Sequence, residues 1–137
     1  MKPLGTGACV KSTVTKMMNY AELKIANAEK ARAFVPDISN GTVDFYPVFL
    51  QIEQTNRCNA ECIMCNHFYL GNRGYGDLDI AVIEKLRPIL PYCSTIMLNG
   101  DGEPFLCPSI EQNIQCFSEY GVKIGTNTNL CYVPDGL

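Results

Sequence analysis

From residue 48 onward the chain switches between two hydrophobic periods, and the order of the switches narrows the architecture sharply. In Val48-Phe49-Leu50-Gln51-Ile52-Glu53-Gln54-Thr55, Val48, Leu50 and Ile52 share one side while Gln51, Glu53 and Thr55 share the other, the period-2 pattern of a strand. Asp79 is a capping residue before Ile80, Ile83, Leu86 and Leu90, which approximate a buried helical stripe that Pro88 limits or bends. A second strand is expected over residues 94–99. A third helical period over residues 109–120 puts Ile110, Ile114 and Phe117 on one face, and Gly121 suits the position after its last turn. Residues 122–126 read as a third strand.

Strand, helix, strand, helix, strand in that order predicts right-handed βαβ units and a parallel sheet, an α/β fold. In such sheets the loops leaving the C-terminal ends of the strands carry the chemistry. Here those loops are residues 58–65, 99–104 and 126–129, which are expected to meet on one rim. Three strands cannot close a barrel, so residues 48–137 are expected to be the front of a longer, truncated barrel domain. Residues 1–47 divide from it: 1–18 read as a leader without clear period, and from Tyr20 to Phe34 alanine and straight side chains predict a short helix with Leu23, Asn27 and Ala31 near one face. Pro36, Asp37, Asn40, Gly41 and Pro47 punctuate the connection.

An apolar share of 47% in 137 residues suits one modest core. The formal charge of -3 offers no basic field for a phosphate backbone, so nucleic acid is not expected as a partner. The N-terminus lacks the apolar run of a secretory signal and no later run is long enough to span a bilayer. The expected setting is the cytoplasm, without membrane association. Eight cysteines would suggest disulfides in a secreted chain; in a reducing compartment metal binding is the better explanation. Cys9, Cys93, Cys107, Cys116 and Cys131 are scattered and read as small packing residues.

The remaining three stand in Arg57-Cys58-Asn59-Ala60-Glu61-Cys62-Ile63-Met64-Cys65, a C-x3-C-x2-C run. Soft thiolates at this spacing let one loop wrap round a metal centre, iron-sulfur or zinc. A structural zinc needs four protein ligands, and His67 would complete such a set. With three ligands only, one iron of a [4Fe-4S] cube keeps an open position for a substrate or cofactor.

At these residues the chain resembles the radical S-adenosylmethionine (radical SAM) superfamily, whose defining motif is this spacing in the loop after the first barrel strand. The flanking Gln51-Ile52-Glu53-Gln54-Thr55-Asn56-Arg57-Cys58-Asn59 looks most like members with a SPASM or twitch type of C-terminal extension. Met64 stands where the family has a hydrophobic, often aromatic residue. Leu98-Asn99-Gly100-Asp101-Gly102-Glu103-Pro104 is similar to the family's Gly-Gly-Glu-Pro segment, with Asp101 replacing the first glycine, and Thr126-Asn127-Thr128-Asn129 resembles its Thr-Asn-Gly segment, with Thr128 replacing the glycine. The likeness covers roughly residues 48–130.

The resemblance implies the first three βα units of a partial, TIM-like (β/α)6 barrel. It implies that Cys58, Cys62 and Cys65 hold a [4Fe-4S] cluster and that Met64, Gly102, Glu103 and Asn127 contact S-adenosylmethionine, Gly102 and Glu103 at the amino group of its methionine part. A carboxylate suits a cationic ammonium, and a glycine lets backbone approach a ligand closely. The implied activity is reductive cleavage of the cofactor to a 5'-deoxyadenosyl radical that abstracts hydrogen from a substrate, fed by an external electron donor of flavodoxin or ferredoxin type. No residue is assigned a catalytic role, and peptide and small-molecule substrates both stay open. Glu53, Asn99, Thr126 and Arg57 carry weaker signals, and Tyr69, Arg73 and Tyr75 are left outside the site. Because the family's adenosine-contacting segments lie on later strands, the expected behaviour of residues 1–137 alone is cluster binding with poor cleavage; the alternative is a metal-binding remnant without turnover.

Overall fold

The computed structural model describes residues 20–35, 41–69 and 74–136; the leader expected over residues 1–18 and Arg73 lie outside them. Three strands, β1 (Phe49–Gln51), β2 (Thr95–Met97) and β3 (Lys123–Gly125), form one parallel sheet in the order β1-β2-β3. Leu50, Ile96 and Ile124 are in register across it, as are Gln51, Met97 and Gly125. The parallel βαβ alternation read from the periods is therefore present. Among the described residues the sheet is open, and no barrel is closed.

Helix α1 (Tyr20–Ala33), the one-turn α2 (Asn66–Tyr69), α3 (Ile80–Leu86) and α4 (Ile110–Ser118) accompany the strands. The Asp79 carboxylate caps α3 by accepting from the Ala81 amide at 2.8 Å. Pro88 falls just beyond its end, where a turn passes into a 3-10 segment at Leu90–Tyr92. Gly121 follows α4 at φ +61, a left-handed conformation that glycine adopts without a Cβ clash. Ile83, Leu90, Ile96, Leu98, Ile110 and Phe117 fill the core between the sheet and α3 and α4. Cys93, Cys107 and Cys116 are buried there as well, the packing role expected of them, whereas Cys131 is exposed.

Two expectations are corrected. Ile80 is 45% exposed, because it is the first residue of α3 and only the next turn of the stripe, from Ile83 on, reaches the sheet. Strand β1 is also shorter than residues 48–55. Its ladder ends where the Ile52 amide donates to Met97 O at 2.8 Å, and the next residues pair elsewhere. Leu78 N donates to Gln54 O at 2.8 Å and Asn56 N to Gly76 O at 3.2 Å, making an antiparallel bridge between Thr55 and Asp77. Thr55, expected on the polar face with Gln51 and Glu53, is instead 3% exposed, its hydroxyl donating to Gly76 O at 3.1 Å. Residues 54–56 and 76–78 thus form a stem, and the cysteine segment is an excursion upon it.

Gln54 and Asn113 are both buried. The Asn113 amide donates to Gln54 Oε1 at 2.9 Å and the Gln54 amide to Ile52 O at 3.0 Å, fastening the root of that stem to α4. At the opposite end of the sheet α1 docks through polar contacts. The buried Asn27 amide donates to Tyr46 O at 3.0 Å and Tyr92 O at 3.2 Å and accepts from Tyr46 N at 2.8 Å. Lys24 Nζ donates to Cys93 O at 2.6 Å. No described helix is long and apolar enough to cross a membrane.

Candidate metal and cofactor site

The loops that follow the three strands do meet on one rim. Beyond the stem, Asn56 closes the base of the cysteine excursion: its amide donates to Gly74 O at 2.8 Å and its Oδ1 accepts from Gly76 N at 2.7 Å. The exposed Arg57 guanidinium pairs with Asp77. Cys58 and Cys65 are half-buried and Cys62 is exposed, all three as free thiols. A tight turn from Cys62 O to Cys65 N, 3.0 Å, brings the second and third cysteines onto one bend. Met64 stands at its tip, 82% exposed, beside the exposed Ile63.

Among the described residues no group of three or more Cys, His, Asp or Glu side chains is gathered at metal-holding distance. The thiols share a loop without converging. His67, the extra ligand that a zinc site would need, stacks near Tyr75 with ring centroids 6.5 Å apart.

The second-strand loop lies directly on the first. Glu103 N donates to Arg57 O at 2.7 Å. At Gly102 a Cβ would fall inside contact distance of Thr55 O and 2.8 Å from Arg57 O. The close approach that glycine permits here is therefore to the chain's own backbone. Glu53 Oε1 accepts from Asp101 N at 2.6 Å, and the space above Gly100 is filled by the Glu53 side chain.

Glu103, 3% exposed, already has partners. Oε1 accepts from Phe105 N at 3.2 Å and from Thr128 Oγ1 at 2.7 Å, and Oε2 accepts from Asn129 N at 2.8 Å. A carboxylate offers about four acceptor positions, so the capacity left for an ammonium is small and lies on Oε2. Asn127, assigned to the cofactor by resemblance, is exposed on the third-strand loop, its carbonyl reached by the Thr126 hydroxyl at 3.5 Å. Asn99 at the end of β2 carries a buried Oδ1 with no partner among the described residues.

Sequence reasoning did not find Asn59, Thr128 and Asn129 as the ties between the loops. Asn129 Nδ2 donates to Asn59 Oδ1 at 2.8 Å, linking the third loop to the residue after Cys58. The only signal was the presence of Thr128 where the resembling family has glycine, a hydroxyl gained where a hydrogen is usual.

No protein-family model matches the chain, and no curated protein matches it. Among solved structures, the crystal structure of BtrN in complex with AdoMet and 2-DOIA is similar over 68% of this chain, with a TM-score of 0.57 and 21% identity. The similar region spans 40% of that chain. What the present chain shares with BtrN is the fold, an α/β arrangement with a parallel sheet.

Proposed function

We propose that this chain is the cluster-bearing part of a radical SAM enzyme, in which Cys58, Cys62 and Cys65 hold a [4Fe-4S] cluster and the rim binds S-adenosylmethionine. The observation that carries the reading is the position of the C-x3-C-x2-C loop, at the C-terminal end of the first strand of a fold shared with BtrN. The donor set fits: three soft thiols in one short loop suit iron-sulfur ligation, and Asn99, on the loop after the second strand, carries a buried acceptor, Oδ1, with no partner among the described residues. When bound, the cluster supplies an electron, taken from a flavodoxin- or ferredoxin-type donor, for reductive cleavage of S-adenosylmethionine and hydrogen abstraction from a substrate.

The chain's own contribution is positioning. The stem fixes where the cysteine loop leaves the sheet, and Gly102 and the Glu103 amide seat the second loop upon it. The Glu103 carboxylate offers its remaining Oε2 capacity, and Asn99 its Oδ1, to the amino group of the methionine part. Met64 and Asn127 complete the cofactor contacts in this reading.

The test is anaerobic reconstitution with iron and sulfide. A brown protein with about four irons per chain is expected, as a thiolate-ligated cube requires. Cys62→Ala abolishes it and Cys116→Ala, at a buried packing position, leaves it. A colourless product carrying one tightly held zinc refutes the reading. A cluster whose spectrum is unmoved by S-adenosylmethionine leaves only a metal-binding remnant.

A further inference from the structure

We infer that Asn129 is a positioning residue that sets the entry of the cysteine loop, by tying Asn59 to the segment that closes round Glu103. The inference rests on the reading of Cys58 as a cluster ligand and deepens it, because Asn59 is the next residue.

Asn129 uses three polar groups, its backbone amide and both side-chain atoms, each toward a different part of the rim. Its backbone amide donates to Glu103 Oε2 at 2.8 Å, its Oδ1 accepts from Cys131 N at 2.9 Å and its Nδ2 donates to Asn59 Oδ1 at 2.8 Å. The Cys131 amide can only donate, so the atom facing it is the oxygen and the atom facing Asn59 is the nitrogen. Asn59 must then present its own oxygen, which fixes the rotation of both amides.

The surrounding backbone is held for this. Leu130 has φ +57, a left-handed conformation costly for a side chain with a Cβ, and it is 68% exposed, so burial does not compensate. Two side chains hold the turn: Thr128 Oγ1 accepts from Leu130 N at 3.0 Å while donating to Glu103, and Asn129 Oδ1 accepts from the next amide. A strained conformation persists where the structure around it over-determines it. What the strained turn presents is the Asn129 amide, aimed at Asn59.

The neighbouring restraints act on the other side of Cys58. The stem and the bond between Glu103 N and Arg57 O hold the chain up to Arg57. Asn59 is exposed, and its tie to Asn129 restrains the chain immediately beyond Cys58. With both flanks fixed, the Cys58 thiol leaves from a defined backbone.

Site-resolved alkylation of the metal-free, full 137-residue chain with iodoacetamide tests this, with peptide mass spectrometry reporting each cysteine. Asn129→Ala and Asn59→Ala are each expected to speed labelling of Cys58 about 2- to 10-fold, the range that loss of one net hydrogen bond allows. Exposed Cys62 should keep its rate, buried Cys93 should stay protected, and the double variant should be no faster than either single one. Unchanged Cys58 labelling in both single variants, or effects that multiply in the double, overturns the inference. If Asn129→Ala unfolds the chain, Cys93 labels too, and the Asn59→Ala variant at its exposed position decides alone. The outcome is separable from cluster assembly. A chain that takes no iron but shows the labelling pattern loses the functional reading and keeps the tie, and a four-iron chain without the pattern does the reverse.

Discussion

Replacing Gly102 by alanine separates two reasons for a glycine at the rim. If the glycine serves only a cofactor's approach, the ligand-free protein tolerates a methyl group there. The geometry says otherwise, because a Cβ would lie 2.8 Å from Arg57 O and closer still to Thr55 O, and both neighbours are backbone atoms held by the stem. The second loop must retreat, which carries an overpacking cost of about 1–3 kcal/mol. Retreat also stretches the 2.7 Å bond from Glu103 N to Arg57 O, worth about 1 kcal/mol net. The expected loss is therefore about 2–4 kcal/mol, a large part of the roughly 5–15 kcal/mol that holds a domain together. Urea denaturation of the metal-free chain, extrapolated linearly to water, measures it. Gly76→Ala is the control: no atom lies within 4 Å of its Cβ position, and the substitution should be neutral or raise stability by about 0.4–1 kcal/mol through the unfolded chain. Should Gly102→Ala keep its ligand-free stability within about 0.5 kcal/mol of the parent, ordinary surface variation, the packing argument fails and the cofactor's approach is left as the reason for the glycine.

The buried amide pair at the root of the stem should behave as a unit. Asn113→Leu leaves the buried Gln54 Oε1 unmet, and Gln54→Leu takes from Asn113 Nδ2 its acceptor at 2.9 Å while Ser109 Oγ at 3.3 Å remains; each is expected to cost about 1–3 kcal/mol, and the double variant should cost less than the sum by about 1 kcal/mol in chemical denaturation, whereas additivity within about 0.3–0.5 kcal/mol would deny the coupling. Cys93 supplies a pH signature, since burial pushes its thiol up, against smaller downward pulls from a backbone hydrogen bond at Thr95 and from the Lys24 charge. The folded chain then keeps this proton at pH values where the unfolded chain has released it, so stability present below the ordinary thiol value declines as pH rises through the folded one. Comparing urea midpoints at about pH 7 and about pH 10, on either side of the ordinary thiol value, Cys93→Ala should lose less on going alkaline than the parent, and an equal loss would refute the assignment.

Local order was legible in the amino acids because its causes are local. The cap at Asp79, the stop after α4 at Gly121 and the apolar spacing of Ile110 and Phe117 act within one or two turns of helix. The alternation of periods is likewise enough to demand parallel strands and to place the three loops on one rim. The sequence could not show where β1 ends, because the alternation continues to Thr55 while the backbone changes partner after Ile52. Nor could it show that Gln54 and Asn113 are buried together, since the bond that joins them spans 59 residues of sequence.

The candidate site divides in the same way. Cysteine spacing is a property of one short segment, so the motif and its sulfur chemistry can be read from the sequence. Whether Glu103 is free for a ligand depends on Thr128 and Asn129, 25 and 26 residues further on, and the entry of the cysteine loop depends on a partner 70 residues from Asn59. Such contacts have no period and no local composition. They exist because a parallel sheet places the ends of successive strands side by side, so the sequence by itself determined which chemical groups arrive at the rim, and tertiary packing decided which of them are already occupied by one another.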